Sequence, residues 1–270
     1  MVLSRCRGSS MRIVVACALA FLALPMARPA HASGKPTVGV YNPNAGQWHL
    51  RNSVGAVTSF YFGNPGDIPM IGDWDCNGTE TIGLYRQSNG QIYLRNFNSQ
   101  GGANLSFFFG NPGDVPIVGD FDGDGCDTVS VFRPSTNQIF IVNRMPPNGG
   151  ALGAADFSYM FGNSGDKPFV GDFDGDGYDS VAMFRPSTGM LYFRNSLGAG
   201  SADYQFYYGS LGDQMLAGAW ADQAHETPTV YRPSTAYFYF RWSNTQGSAN
   251  DQLVFGNPYW VGVSGLFGLG

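Results

Sequence analysis

The chain has 270 residues, of which 15% are aromatic, 13% are charged and 38 are glycine. That length allows one large or two small domains, and the mixture suits short strands and tight turns rather than helices rich in Ala, Leu, Glu and Lys. A net charge of −5 argues against nucleic acid as a partner, since that requires clustered Lys and Arg.

The first element is a targeting segment. Arg5, Arg7 and Arg12 precede an apolar run from Ile13 to Met26, and Ala30-His31-Ala32 offers a small-x-small cleavage site. Residues 1–32 are therefore predicted to be a cleaved signal peptide, and residues 33–270 a single secreted domain. Val14-Val15-Ala16-Cys17 loosely resembles a lipoprotein box but sits before most of the apolar run. No later stretch reaches about 18 apolar residues, so no transmembrane segment is expected. Cleavage removes four of the 15 basic residues and none of the 20 acids, leaving a charge of −9. Cys76 and Cys126 remain after cleavage. Export permits a disulfide between them, and two thiols are the alternative.

The rest of the chain repeats. Gly72, Gly119, Gly171, Gly218 and Gly265 are spaced by 47, 52, 47 and 47 residues, and Gly63, Gly110, Gly162, Gly209 and Gly256 keep the same steps. A period of this size means propeller blades or a solenoid. Each unit is predicted to hold four strands; in one they are Pro116–Phe121, Thr128–Arg133, Gln138–Asn143 and Phe157–Phe161. The predicted domain opens on a second-type strand, Thr37–Tyr41, and ends on a first-type strand, Val263–Phe267. One blade would then take strands from both ends of the domain and latch the ring shut, leaving no bare sheet edge at the seam. The expected fold is all-β: a closed five-bladed propeller of four-stranded antiparallel blades, monomeric.

Between the first and second strands lies an acidic loop. Gly-Asp-Phe-Asp-Gly-Asp-Gly occurs at 119–125 and 171–177, and a looser copy, Gly-Asp-Trp-Asp-Cys-Asn-Gly, at 72–78. Oxygen side chains fall at positions 1, 3 and 5, with glycine at 6, a spacing that lets a curled loop gather the six to eight oxygens Ca²⁺ takes. Candidate ligands are Asp73, Asp75, Asn77, the Thr79 carbonyl and Glu80; Asp120, Asp122, Asp124, the Cys126 carbonyl and Asp127; and Asp172, Asp174, Asp176, the Tyr178 carbonyl and Asp179. About three Ca²⁺ ions are expected, which would bring −9 to −3. The fourth copy carries Ala219, Ala221 and Gln223 in place of acids.

These loops, following Val-Gly-Asp-Phe and preceding Val-Ser-Val-Phe, resemble the FG-GAP/VCBS repeat of integrin-like propellers. The resemblance covers the chain from about Thr37 and implies Ca²⁺ between the innermost strand and the next. One departure is clear: the family's ninth-position acid is Thr81, Thr128 or Ser180 here, and the acid comes one residue earlier.

The function expected is binding, of a glycan or of an extracellular protein. Architecture alone also resembles tachylectin-type lectins. Speculative ligand contacts are Trp48, Tyr93, Tyr192 and Tyr239 on the third strands, with Phe140 in a related place, and Trp220 and His225 in the acid-free fourth loop. Recurrence in every blade favours packing for the third-strand rings, and Arg51, Arg95, Arg194 and Arg241 read as inter-blade hydrogen-bond donors. Two deviations from the repeat, Met145–Ala155 and Ala219–Glu226, are where a specialised site would sit. Catalysis is not expected: of the acids outside the loops and the inter-blade turns, only Asp222 and Glu226 lie close together, as a glycosidase pair would require. A purely structural module stays open.

Overall fold

The second strand of each unit reads in sequence as half-buried, alternating polar with apolar. In the computed structural model it is buried along five of its six positions in four of the units and along four of six in the other, Thr37–Asn42. In the third unit the polar positions are used internally: the Ser130 hydroxyl accepts the Val142 N–H at 2.9 Å, and the Thr128 hydroxyl donates to the Val142 carbonyl at 2.5 Å. Such bonds let a polar side chain sit between two packed sheets without the cost of an unmet hydrogen bond.

The structure describes residues 35–221 and 224–269; the predicted signal peptide and Asp222 lie outside them. All regular structure among the described residues is β. Blade one is β21 (Val261–Gly265), β1 (Thr37–Asn42), β2 (Gln47–Arg51) and β3 (Val57–Tyr61). Blade two is β4 (Ile68–Gly72), β5 (Thr81–Arg86), β6 (Gln91–Leu94) and β7 (Leu105–Phe108), with a short fifth strand, β11 (Gly150–Ala151), on its outer edge. Blade three is β8 (Val115–Gly119), β9 (Thr128–Arg133), β10 (Gln138–Ile141) and β12 (Phe157–Met160). Blade four is β13 (Lys167–Gly171), β14 (Ser180–Arg185), β15 (Met190–Phe193) and β16 (Tyr204–Tyr207). Blade five is β17 (Gln214–Gly218), β18 (Thr227–Arg232), β19 (Tyr237–Phe240) and β20 (Asp251–Val254).

The innermost strands touch in a complete circuit, β4 to β8 to β13 to β17 to β21 and back to β4. This is a closed five-bladed propeller. Its latch is the expected one, with Thr37 opposite Gly265 and Tyr41 opposite Val261 in antiparallel register.

Five apolar clusters hold the ring, one for each pair of neighbouring blades. Between blades two and three, Met70, Trp74, Tyr85 and Phe107 pack with Val129 and Val131. Blades three and four share Ile117, Phe132, Val181 and Met183; blades five and one share Val38, Val40, Tyr231 and Phe238. Each fully buried side chain of this size contributes about 1.5–3 kcal/mol.

The inter-blade turns are fixed electrostatically. Asp67, Asp114, Asp166 and Asp213, almost wholly buried, accept two bonds each from Arg86, Arg133, Arg185 and Arg232, with the closest contact 2.8 Å in every pair. The guanidinium groups lie 4.3–5.0 Å over the rings of Tyr93, Phe140, Tyr192 and Tyr239. The joint between blades five and one lacks this arrangement. Trp260, Asn42 and His49 stand in the acid, arginine and ring positions, and His49 stacks on Trp260 at 4.8 Å.

Candidate metal centre and central cavity

The second and third acidic loops bring their three carboxylates together. One oxygen from each of Asp120, Asp122 and Asp124 lies within 4.8 Å of the others, and the same holds for Asp172, Asp174 and Asp176. That limit is the widest separation of two oxygens on a shell of about 2.4 Å radius, so the spacing fits one Ca²⁺. The first carboxylate shapes the loop: Asp120 accepts the N–H groups of Gly123, Asp124 and Gly125 at 2.7–3.0 Å. Asp172 does the same for Gly175 and Gly177. In the first loop Asp73 accepts from Asn77 and Gly78, so the curl is retained although only two of the three positions are carboxylates. Burial and then the neighbouring carboxylates raise the pKa of Asp122, and burial raises that of Asp172. A bound cation would remove both penalties.

The acids at position eight do not complete their own loops. Glu80, Asp127, Asp179 and Glu226 turn toward the preceding blade instead. The Asp127 carboxylate accepts the Asp73 N–H at 2.7 Å while its own N–H donates to the Asp73 carbonyl at 3.1 Å. Asp179 clasps Asp120 in the same two-way fashion, and Glu80 clasps Leu266. Glu226 does so for Asp172. The glycine before each loop makes room: a Cβ on Gly119 would lie 2.6 Å from an Asp179 oxygen. Having the acid one residue earlier than in the resembled family therefore sends it across the blade junction. Between blades five and one the matching residue is Pro36, which has neither carboxylate nor N–H, so no clasp forms there.

These four carboxylates line a central cavity of about 690 Å³, together with Asp73, His225 and Ile71. Burial, reinforced by neighbouring acids, pushes Glu80 up to about 8, and Asp127 and Glu226 up to about 7. Asp179 rises well above the usual carboxylate range for the same reasons. Folding therefore favours their protonated forms, and the stability this brings is full below about pH 4 and is lost as pH climbs toward 8. Calcium-free protein should melt at a higher temperature at pH 5 than at pH 8, and Glu80→Gln should reduce that difference. A melting temperature that rises over this interval would contradict the assignment.

Cys76 and Cys126 form a disulfide, 2.02 Å between sulfurs, which ties the first acidic loop to the second. Other expectations need correction. Trp48 does not share a register with Tyr93, Tyr192 and Tyr239: it points inward and is fully buried, donating to the Phe62 carbonyl at 2.9 Å. His49 is their counterpart. Those three tyrosines lie under arginine guanidinium groups, in keeping with the packing role that their recurrence favours. Trp220 is as well, donating to the Thr227 carbonyl at 3.2 Å and meeting Phe240 edge-on. Of the proposed ligand contacts only His225 faces the cavity. Arg95, Arg194 and Arg241 do not bridge blades. Each folds its own blade's loop around itself; Arg95 donates to the carbonyls of Ser99, Gln100 and Gly102 at 2.7–3.0 Å. Such a site is invisible in sequence because carbonyl acceptors leave no residue signature.

No family model matches this chain, and no curated protein matches it. Among solved structures, a crystal structure of BBS1N in complex with ARL6DN, soaked with lead, is similar over 83% of this chain at 10% identity, with a TM-score of 0.39. This chain spans 66% of the length of that one. No helix among the described residues is long and apolar enough to cross a membrane.

Proposed function

We propose that this chain is a secreted, calcium-clamped propeller of the FG-GAP/VCBS type that binds an extracellular protein. The propeller fold suits a binding module, and its acidic loops support the metal. Asp120, Asp122 and Asp124, and Asp172, Asp174 and Asp176, would each hold one ion. Asp73, Asp75 and Asn77 would hold a third more weakly, since an amide replaces one carboxylate. Calcium here would neutralise the loops and stiffen the blade junctions.

The observation favouring protein over glycan is where the aromatic side chains lie. Sugar sites are usually built from open ring faces beside a few polar groups. Here Trp48 is in the packed interior, Trp220 is half-buried against Phe240, and Tyr93, Tyr192 and Tyr239 lie under guanidinium groups. Rings exposed to solvent lie on the outer strands, as at Tyr61, Phe108 and Tyr207, and at scattered loop positions, Phe97, Tyr178, Trp242 and Tyr259. The channel carboxylates support a structural role over catalysis, since each already receives a backbone N–H from the neighbouring blade. A glycan array probed in calcium is expected to stay blank, and aryl-glycosides to remain uncleaved. Saturable sugar binding lost in chelator would restore the lectin alternative, and turnover abolished by Glu226→Gln would restore the enzyme.

A further inference from the structure

The outermost strand of every blade carries the same exposed row. Four residues before the inter-blade glycine stand Ser59, Ser106, Ser158, Gln205 and Gln252, all exposed. Two residues later come Tyr61, Phe108, Met160, Tyr207 and Val254, between 46% and 58% exposed. The residue between each pair points into the blade, as Phe60, Phe107, Tyr159 and Phe206 do. An apolar side chain is thus left about half exposed at this place in all five copies.

These strands are also edges. Among the described residues no strand pairs with the outer side of β3, β12, β16 or β20. Proteins usually protect such edges with charged side chains, proline, a bulge or very short strands; here the strands are four or five residues long and one carries Asp251. None of the five strands contains Lys, Arg or Pro.

One edge is filled, and it shows how. The five-residue insertion of the blade-three unit reaches back to blade two, where β11 pairs parallel with β7, Gly150 opposite Phe107 and Ala151 opposite Phe108. The Leu152 N–H donates to the Phe108 carbonyl at 3.0 Å, and Leu152 packs against the core of that blade junction. The occupant is uncharged, Asn148-Gly149-Gly150-Ala151-Leu152: the chain turns at Asn148, passes through positive φ at Gly149 and Gly150, and pairs as strand at Gly150–Ala151. It comes from a connecting segment and not from the edge of another sheet.

We propose that the open outer edges of blades one, three, four and five bind extended, uncharged segments of a partner protein by strand addition. The peptide would lie parallel to the outer strand, its backbone meeting peptide groups equivalent to that of Phe108, and its apolar side chains covering Tyr61, Met160, Tyr207 or Val254. Main-chain bonds of this kind supply affinity while alternate side chains supply selectivity. This rests on the protein-binding reading above but is tested separately from it, because the glycan array decides that reading alone.

The probe is a synthetic peptide of residues 147–155 of this chain, titrated to millimolar concentration into isotope-labelled protein and followed by amide shifts and hydrogen exchange. Saturable shifts and slowed exchange are expected at Tyr61, Met160, Tyr207 and Val254, with little change at Phe108. A peptide N-methylated at the Ala151 and Leu152 amides should bind at least tenfold more weakly, and Tyr207→Lys should remove the response of blade four only. Equal binding by the N-methylated peptide, or shifts confined to other surfaces, would overturn the proposal without needing any protein variant. Concentration-dependent dimerisation abolished by Tyr207→Lys would overturn it in favour of a second copy as occupant.

Discussion

EDTA should lower the melting temperature of this propeller by roughly 10 °C or more. An ion that binds only the native state at a hundredfold excess over its Kd stabilises it by about 2.7 kcal/mol, and 1 kcal/mol shifts a domain of this size by roughly 2–4 °C. Two loops present three converging carboxylates and a third presents two with an amide, so the summed effect exceeds that of one site. Asp122→Ala should remove one ion of about three per chain. Its side chain is only partly buried and supports no packing, so the loss would report on the metal. An unchanged melt in EDTA, or an unchanged ion count in the variant, would mean the loops are empty Asp-Gly turns.

Reducing the Cys76–Cys126 disulfide should have the second-largest effect, and an uneven one. The bond closes a 50-residue separation, and native disulfides of this kind contribute about 2–4 kcal/mol. It joins position four of the first acidic loop to position seven of the second, beside the clasp from Asp127 to Asp73. Calcium affinity at those two loops should fall on reduction, while the third loop, at Asp172, Asp174 and Asp176, keeps its affinity. Calorimetric titration of oxidised and reduced protein would check this. Equal weakening at all sites would point to general loosening, and no weakening would show that the bond holds blades but not loops.

Much of the fold was legible because five copies of one pattern constrain each other. The glycine spacing marked the blades, and the unlike strand types at the two ends of the domain anticipated the pairing of β21 with β1. The acidic curl at positions 1, 3 and 5 was equally readable, being a local property of eight residues. What sequence did not reveal was anything decided across a junction. Asp127 looks like a ligand of its own loop until Asp73 of the preceding blade is placed beside it. Trp48 was grouped with Tyr93, Tyr192 and Tyr239, but it is offset by one residue in its strand, which reverses the side it faces. The arginines at 95, 194 and 241 bind carbonyls, which any sequence supplies. The disulfide was an open alternative, and only the closeness of two loops resolved it.

The joint between blades five and one stands apart. It has Pro36 where its neighbours have a clasping acid, no acidic loop on the blade-five side, and a stacked histidine and tryptophan in place of an ion pair. Apolar packing and a few bonds, such as the Gln214 side chain to the Gly262 backbone at 2.9 and 3.1 Å, join the two sheets there. If the ring breathes, it should part at this joint in the manner of a lock washer. The rest would turn as one stiff arc, and the gap would be the natural doorway for solvent and solutes into the hollow axis.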